Sequence, residues 1–501
     1  MARIAVIGAG MGAMAAAARL AVAGHRVVVY ERTRTYGGAV RRFERDGFFF
    51  DLGPGLLTLP AVWRDLFVKT GREPLESCVE LVQVDPSSRH LFADGTEIAL
   101  PNASRAGVVS ALDEAFGAGA GARWGDFLVR AREAWDRTRR PLLEEPLWPN
   151  WQVLAEREPY PSVPHKRLLR TRRATTLAEV GAWELRDARL SALLESHALA
   201  YGLDPRTAPA SAAVLPYMEH AFGTWYVRGG LRELARAVYE RCLARKVEFV
   251  FGADVVRIVE KDGRAAGVEL AGSAAGTVAE ADFVVAGVAP GVLDALASGP
   301  AARGGAGTVP PQRGAASRLT VLAALRGGRP EGAAHRTVVH APDRDAELSR
   351  LFGEHPGLAA TPTVTVLRPG DPASAPDADH EAVTLTATVP SGLDVSGQDV
   401  ERLLDVAERA VPGLRDRLLW HEARTPADIA EATGAAGGAV PAPALAAAEG
   451  RLLHPSNGTG LPGLFAVGGW AHPGGGLPHA GMSGALVAGL VVEGPDFRGS
   501  Q

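Results

Sequence analysis

The sequence predicts an α/β protein, in which a Rossmann-like domain of the two-dinucleotide-binding type is joined to an α+β lobe containing an antiparallel sheet. Three observations predict it. Residues 4–7 form a short apolar run that leads through Gly8, Gly10 and Gly12 into an alanine-rich segment and then a second apolar run, residues 27–30. Residues 464–467 repeat that order far along the chain, with Gly468 and Gly469 followed by small and apolar residues up to 492. Asp94-Gly95 stands between two apolar runs within residues 89–100, the signature of a tight antiparallel hairpin.

The opening run, Ile4, Val6 and Ile7, has the length and branching of a buried strand. Residues 14–23 are alanine-rich around Leu20, as a helix packed closely on a sheet requires, and Gly24 ends it. Residues 80–85 alternate. Residues 105–200 are mostly helical in pattern, broken by a Pro/Trp/Arg stretch at 141–164, and residues 231–245 read as an amphipathic helix. Short strands are expected at 247–251, 255–260, 267–270 and 283–286, with Asp262-Gly263 as a tight turn. Strands at 364–367 and 383–389 and a helix at 398–410 lie among Gly/Pro/Ala-rich loops at 300–315, 369–378 and 433–443. The nucleotide domain is expected from residues 1–60, 225–295 and 455–501. The second lobe takes 61–224 and 296–454, with its helical part at 105–200.

The pattern Gly8-Ala9-Gly10-Met11-Gly12-Ala13 follows a strand and opens a helix. Gly8 permits the turn, Gly10 lets the backbone approach a pyrophosphate, and Ala13 allows close helix–strand packing, while the helix N-terminus offers unpaired N–H groups to phosphate. Glu31, with Arg32 beside it, ends the second strand about 20 residues on, where a carboxylate accepts from ribose hydroxyls. Removing Glu31 is therefore expected to weaken cofactor binding and leave the fold intact. FAD and NAD share this pattern. Gly37-Gly38, Gly53-Pro54 and the distant Gly468, Gly469, His472, Leu477 and Pro478 decide between them. An extended cofactor gripped by both ends of the chain is FAD, not a nicotinamide that must leave. No cysteine lies near the second glycine pair, so FAD is expected to be non-covalent.

Bulk composition narrows the classes further. With 501 residues, 47% of them apolar, the chain can bury more than one core, and a net charge of −4 gives no footing for a nucleic-acid partner. Its two cysteines, Cys78 and Cys242, lack metal spacing and read as reduced, buried thiols of a cytoplasmic protein. No metal site is expected. The apolar stretch at 13–23 imitates a signal segment, but it follows the glycine turn and contains Arg19, so it reads as a helix. No run reaches the ~18 apolar residues that would span a bilayer.

At these residues the chain resembles bacterial carotenoid desaturases of the phytoene desaturase type, within the amine-oxidase-like flavoproteins. The likeness runs nearly end to end: residues 6–12 with Glu31, 47–60 (GFFFDLGPGLLTLP), 92–96, 222–234 (FGTWYVRGGLREL), 255–258 and 467–484. The wording is most similar to hydroxycarotenoid 3,4-desaturases. The resemblance implies FAD contacts at Gly8, Gly10, Glu31 and Gly38, a backbone contact from Val255 to adenine, and contacts from Gly469 and Leu477-Pro478 around the flavin. It implies an apolar polyene substrate. There are departures: Ala39 stands where many relatives carry Arg, Trp470 where they have Thr or Ser, and His479 follows Pro478.

Desaturation removes a hydride and a proton from adjacent carbons, so the protein must supply a dry, elongated apolar channel beside the flavin. His479 is the candidate catalytic side chain, and His472 a turn residue beside the pyrophosphate. Tyr226 and Arg228, before Gly229-Gly230, read as structural, with Arg228 near the cofactor as the alternative. The segment 135–173 holds Trp135, Trp148 and Trp151 with Arg137, Arg139, Arg140, Lys166, Arg167, Arg170, Arg172 and Arg173. That composition suits either peripheral contact with an anionic membrane or a solvated helical face over core tryptophans. Oligomeric state leaves no trace in the sequence. The rival activities are an FAD-dependent isomerase or saturase of a polyene and an oxidase of a more polar specialised metabolite; a lipid carrier has no use for so complete an FAD grip.

Overall fold

The computed structural model describes residues 1–165, 170–271, 276–297 and 316–499. Its first sheet is five-stranded and parallel, in the order Glu248–Phe251, Arg26–Glu31, Arg3–Ile7, Phe283–Ala286, Leu464–Ala466. Parallel neighbours need crossovers, and the first is the helix Met11–Val22. The opening strand is apolar from Ile4 onward because both faces are covered there. Ile4 and Val6 pack under the helices Met11–Val22, Leu231–Ala244 and Leu477–Glu493, while Ala5 and Ile7 pack against a three-stranded antiparallel sheet. That second sheet is Val255–Lys261, Arg264–Leu270 and Thr277–Glu280. Asp262 and Gly263 both adopt positive φ in its first turn, as a two-residue hairpin demands.

The first helix and the helix Leu477–Glu493 cross in direct backbone contact. A Cβ placed on Gly484 would lie 2.6 Å from the Gly12 carbonyl oxygen and 2.8 Å from the Ala16 nitrogen; one on Gly12 would lie 2.9 Å from the Ala480 carbonyl oxygen. Only glycine fits at either position without moving a helix.

The second lobe is built on a seven-stranded sheet, ordered Leu418–Arg424, Ala316–Arg326, His380–Pro390, Val364–Leu367, Arg336–Val339, Ser88–Leu91, Glu97–Leu100. All neighbours are antiparallel except Arg336–Val339 with Ser88–Leu91. The Asp94-Gly95 hairpin forms one end of it. The long strand Ala316–Arg326 escapes sequence reading because both its faces are largely apolar: Leu319, Val321, Ala323 and Leu325 face the helix Gly397–Ala407, and Leu322 and Ala324 face Phe48 and Phe50. The expected loop at 369–378 contains a short 3-10 turn, Pro372–Ser374, and the expected loop at 300–315 lies outside the described residues.

A separate helical core gathers Arg105–Phe116, Ala120–Arg139, Ala188–Ala200 and Val214–Phe222 around Trp124, Phe127, Leu194 and Leu215. Here three arginines of the basic segment are paired with nearby glutamates. Arg137 pairs with Glu133 at 3.0 Å, Arg139 with Glu144 at 3.2 Å, and Arg140 with Glu145. Trp135 is buried in the core, and Trp148 donates to Glu145 at 2.8 Å. Lys166 and Arg167 lie outside the described residues. Among the described residues no helix is long and apolar enough to cross a membrane. Both cysteines are free thiols; Cys242 is buried, which pushes its thiol up to about 12, whereas Cys78 is only half-buried.

Candidate functional site

The glycine turn has the shape its spacing demands. Gly8 has φ +88° and donates to the Tyr30 carbonyl at 2.8 Å, while Gly10 caps the helix Met11–Val22 with extended backbone and no side-chain cap. The N–H groups of the first turn are therefore left for a ligand. Met11, Gly12 and Ala13 are buried behind them, and Ala13 stays small because its methyl faces Gly287, where a Cβ would come within 3.0 Å. Gly37 donates to the Ala9 carbonyl at 2.8 Å, and a Cβ on Gly38 would sit 2.9 Å from the Gly10 Cα. The pair Gly37-Gly38 thus drapes over the turn. Gly53 lies equally close to the Ala39 carbonyl, at 2.5 Å from its Cβ position, with Pro54 half-buried beside it.

Glu31 is buried at the strand end, and its carboxylate does more than the sequence suggested. One oxygen accepts from the Ala9 N–H and the other from the Thr33 N–H, each at 2.8 Å. Each oxygen keeps a lone pair for a ribose hydroxyl. Removing this acid takes away more than a ribose acceptor, because the buried Ala9 N–H and the part-buried Thr33 N–H also depend on it. Glu31→Gln should weaken FAD binding about tenfold and lower stability by about 1–3 kcal/mol. Flavin titration and thermal unfolding of the apoprotein check both. An unchanged melting midpoint would refute the structural half. Arg32 points away, donating to the Glu431 carbonyl at 2.5 Å. Val255 begins its strand two residues beyond Ala253, whose N–H donates to the Glu31 carbonyl at 3.0 Å.

The distant motif folds onto the same place. Gly468, at φ +97°, donates to Ser483 Oγ at 2.9 Å, and its Cα lies 2.9 Å from the Cβ position of Gly12. Gly469 is held against Pro441. Gly476, at φ +105°, then opens the helix Leu477–Glu493, with Leu477 and Pro478 buried in its first turn. Two features fit a bound dinucleotide. The space a Cβ would enter at Gly10 and at Gly468 is open, with no atom within 4 Å, whereas at Gly12, Gly38, Gly53 and Gly469 it is occupied by protein. The helix N-terminus at Gly10 is also uncapped.

His472 and His479 are both buried, and burial pushes them down to about 3 and about 4. His472 bonds through Nε2 to the Glu145 carbonyl at 3.0 Å, and its own carbonyl accepts from Asn457 at 2.8 Å, the behaviour of a turn residue. His479 is not the solvent-facing helix start that its position allowed. It lines a small pocket of about 20 Å³ with Trp135, Leu142, Leu143, Leu215 and Met218, and its Nδ1 has no hydrogen-bond partner among the described residues. The lining of the pocket is mainly apolar.

His335, His340 and His454 are likewise pushed down by burial, to about 4, 3 and 4. Unfolded histidines bind protons near 6.5 while these do not, so stability is fully present above pH ~6.5 and declines as pH falls toward ~4. Asp51 and Glu158, raised by burial to about 6 and about 7, act with the opposite sign. Five histidines outweigh two acids, and the apparent melting midpoint should fall steadily from pH 6.5 to 4.5. A flat profile over that interval counts against it.

Tyr226 and Arg228 are structural. Arg228 pairs with Glu80 at 2.8 Å on the surface, and Tyr226 donates to Asp371 at 3.0 Å. Sequence reading missed Asp51, whose carboxylate accepts from the Leu231 and Arg232 N–H groups at 2.9 and 3.4 Å, capping the helix Leu231–Ala244. Its signal was the acid followed at long range by Gly229-Gly230. Among the described residues no group of side chains suits a metal ion.

Comparison with known proteins bears on the whole arrangement. Residues 14–315 match the family described as flavin containing amine oxidoreductase. The 4,4'-diapolycopene oxygenase of Methylomonas sp is 30% identical, over 98% of this chain and 98% of its own. A phytoene desaturase (neurosporene-forming) of Cereibacter sphaeroides is 27% identical over 99% of this chain and 96% of its own, and a hydroxyneurosporene desaturase of Rubrivivax gelatinosus 28% over 97% and 92%. Among solved structures, an oxidoreductase from Methanosarcina mazei shares the fold with a TM-score of 0.63 at 18% identity, covering 97% of this chain and 99% of its own. Putrescine oxidase bound to putrescine does so with a TM-score of 0.60 at 14% identity, over 98% and 99%. With the glycine turn, the buried acid and the second glycine pair brought together as described, the chain belongs to the flavin containing amine oxidoreductase family and is an FAD-dependent oxidoreductase.

Proposed function

We propose that this oxidoreductase desaturates a carotenoid or another polyisoprenoid. The end-to-end likeness to carotenoid desaturases carries the reading, and the apolar pocket at the start of the helix Leu477–Glu493 supports it. In this reading segments 1–60, 225–295 and 455–501 hold FAD, and 61–224 and 296–454 hold the substrate. Bound FAD supplies a hydride acceptor at N5. The chain's own work is to bind and to exclude water. Gly8, Gly10, the first turn at Met11–Ala13, Gly37-Gly38 and Gly468-Gly469 hold the pyrophosphate region, and Glu31 the ribose; Gly53, Pro54, His472, Leu477 and Pro478 frame the flavin. Trp135, Leu142, Leu143 and Met218 keep the pocket dry. His479, pushed down to about 4, is a poor general base at neutral pH, so its part is to position the substrate through Nδ1. Membrane contact through 135–173 loses the support of Arg137, Arg139 and Arg140, each of which is paired with a nearby glutamate.

Anaerobic mixing of the FAD-loaded protein with acyclic carotenes tests the reading. Flavin bleaching should accompany a red shift of the polyene as its conjugation lengthens. Rapid bleaching by a small polar amine, with none by carotenes, would overturn it. A polyene that changes spectrum while the flavin returns to its oxidised form without any electron acceptor would point to isomerisation.

A further inference from the structure

One face of the seven-stranded sheet carries polar side chains across its middle. On the strand Ala316–Arg326, Arg318 and Thr320 share a face with Leu322 and Ala324, by the alternation of a strand. Directly opposite them in register stand Thr388 and Thr386, and Thr365 continues the row from the next strand. Thr320 and Thr386 hydroxyls are 3.4 Å apart. All five side chains are half-buried, while their neighbours on the other face are buried.

A second polar group faces this row from the helices. Arg318 donates to the Ala200 carbonyl at 2.9 Å, and the next residue, Tyr201, caps the helix Ala188–Ala200. The Tyr201 ring lies 4.0 Å from the Cβ position of Gly476, the residue that opens the helix bearing His479. Behind it Glu219 forms a two-pronged ion pair with Arg336, and His197 Nε2 stands 3.9 Å from the Glu219 carboxylate. Burial is the leading influence on His197, Tyr201, Glu219 and Arg318, lowering the first and last and raising Tyr201. Yet His197, Glu219 and Arg336 still expose 16%, 15% and 17% of their side chains. Glu219, Arg318 and Arg336 all act on Tyr201 through their charge, so the polar groups lie together.

The charges of this group do not balance. Arg336 neutralises Glu219, but Arg318 has no carboxylate within ion-pairing distance among the described residues, and Tyr201 is its charge neighbour. A half-buried guanidinium without a counter-charge keeps donors free, and an incoming carboxylate can accept them as paired hydrogen bonds.

We propose that Arg318, assisted by Tyr201, is a specificity determinant that receives a carboxylate carried by the substrate, so that the preferred isoprenoid is an acid rather than a hydrocarbon. The proposal takes the flavin desaturase reading as its frame, and the test separates the two.

The experiment titrates the FAD-loaded protein with retinoate and retinol, and in parallel with benzoate and benzyl alcohol, following perturbation of the flavin spectrum without turnover. Wild type should bind each acid at least about tenfold more tightly than its alcohol. Arg318→Gln should lose that preference, Arg318→Lys should keep part of it, and flavin content should stay constant in both. Acid and alcohol bound within about twofold of each other by wild type, which requires no variant to fold, would overturn the proposal. So would a preference that survives in Arg318→Gln. Retinoids bound without discrimination leave the polyene reading standing and remove the anion site. No retinoid binding, with an Arg318-dependent preference for benzoate, keeps the anion site and removes the polyene.

Discussion

Gly10→Val should yield a folded protein that purifies without FAD. The Cβ position of Gly10 meets no atom within 4 Å, so the apoprotein accommodates the side chain and its melting midpoint stays near that of wild-type apoprotein. The same open space lies over the uncapped first turn of the helix Met11–Val22, where a pyrophosphate needs to approach main-chain N–H groups. Two branched methyl groups there block the approach. A loss of at least about 100-fold in affinity, about 2.7 kcal/mol, is expected. Flavin absorbance of the purified protein and titration of the apoprotein report it. Full occupancy would mean that the phosphates lie elsewhere.

Gly484→Ala attacks the fold instead. Its new methyl would meet the Gly12 carbonyl oxygen at 2.6 Å and the Ala15 Cβ and Ala16 nitrogen at 2.8 Å, all of them fixed parts of the first helix. No side-chain rotation relieves the clash, so one helix must back away. Overpacking of this kind costs about 1–3 kcal/mol, and because the displaced helix carries the glycine turn, FAD affinity should fall with stability. Both are read from thermal unfolding with and without added FAD. Gly397→Ala serves as the control, since it sits at an exposed helix start without positive φ and with open space around it. Equal melting midpoints for Gly484→Ala and wild type would show that the crossing has slack.

How far these features were legible follows from how local their causes are. The turn from Gly8 to Ala13, Glu31 and the Asp94-Gly95 and Asp262-Gly263 hairpins could be read because backbone conformation and helix-end chemistry act over a few residues. The strand Phe283–Ala286 was visible as a short apolar run. The strand Ala316–Arg326 was not: apolar side chains on both faces erase the period-two signal. Leu418–Arg424 lies at the sheet edge with most of its residues half-exposed, so it carries little hydrophobic contrast. At the site, Glu31 was found but its bonds to Ala9 and Thr33 were not, since they exist only once the loop has closed. Arg318, Tyr201, Glu219 and Arg336 come from four elements, and nothing in one sequence brings them together. The arginines of 137–140 teach the converse. Their glutamate partners stand within five positions, so the pairing was readable.

The position of the strand Leu464–Ala466 also dictates when the nucleotide domain can be finished. It pairs beside Phe283–Ala286, and the helix after it closes over the first helix. During synthesis, residues 3–31 emerge early but lack that cover until more than 400 intervening residues have been made. Closing contacts so distant in sequence is slow, and until then Phe283–Ala286 is an unpaired edge inviting intermolecular pairing. FAD capture is therefore a late event of biogenesis, and a chain stalled before residue 464 is an aggregation hazard rather than a partly active enzyme.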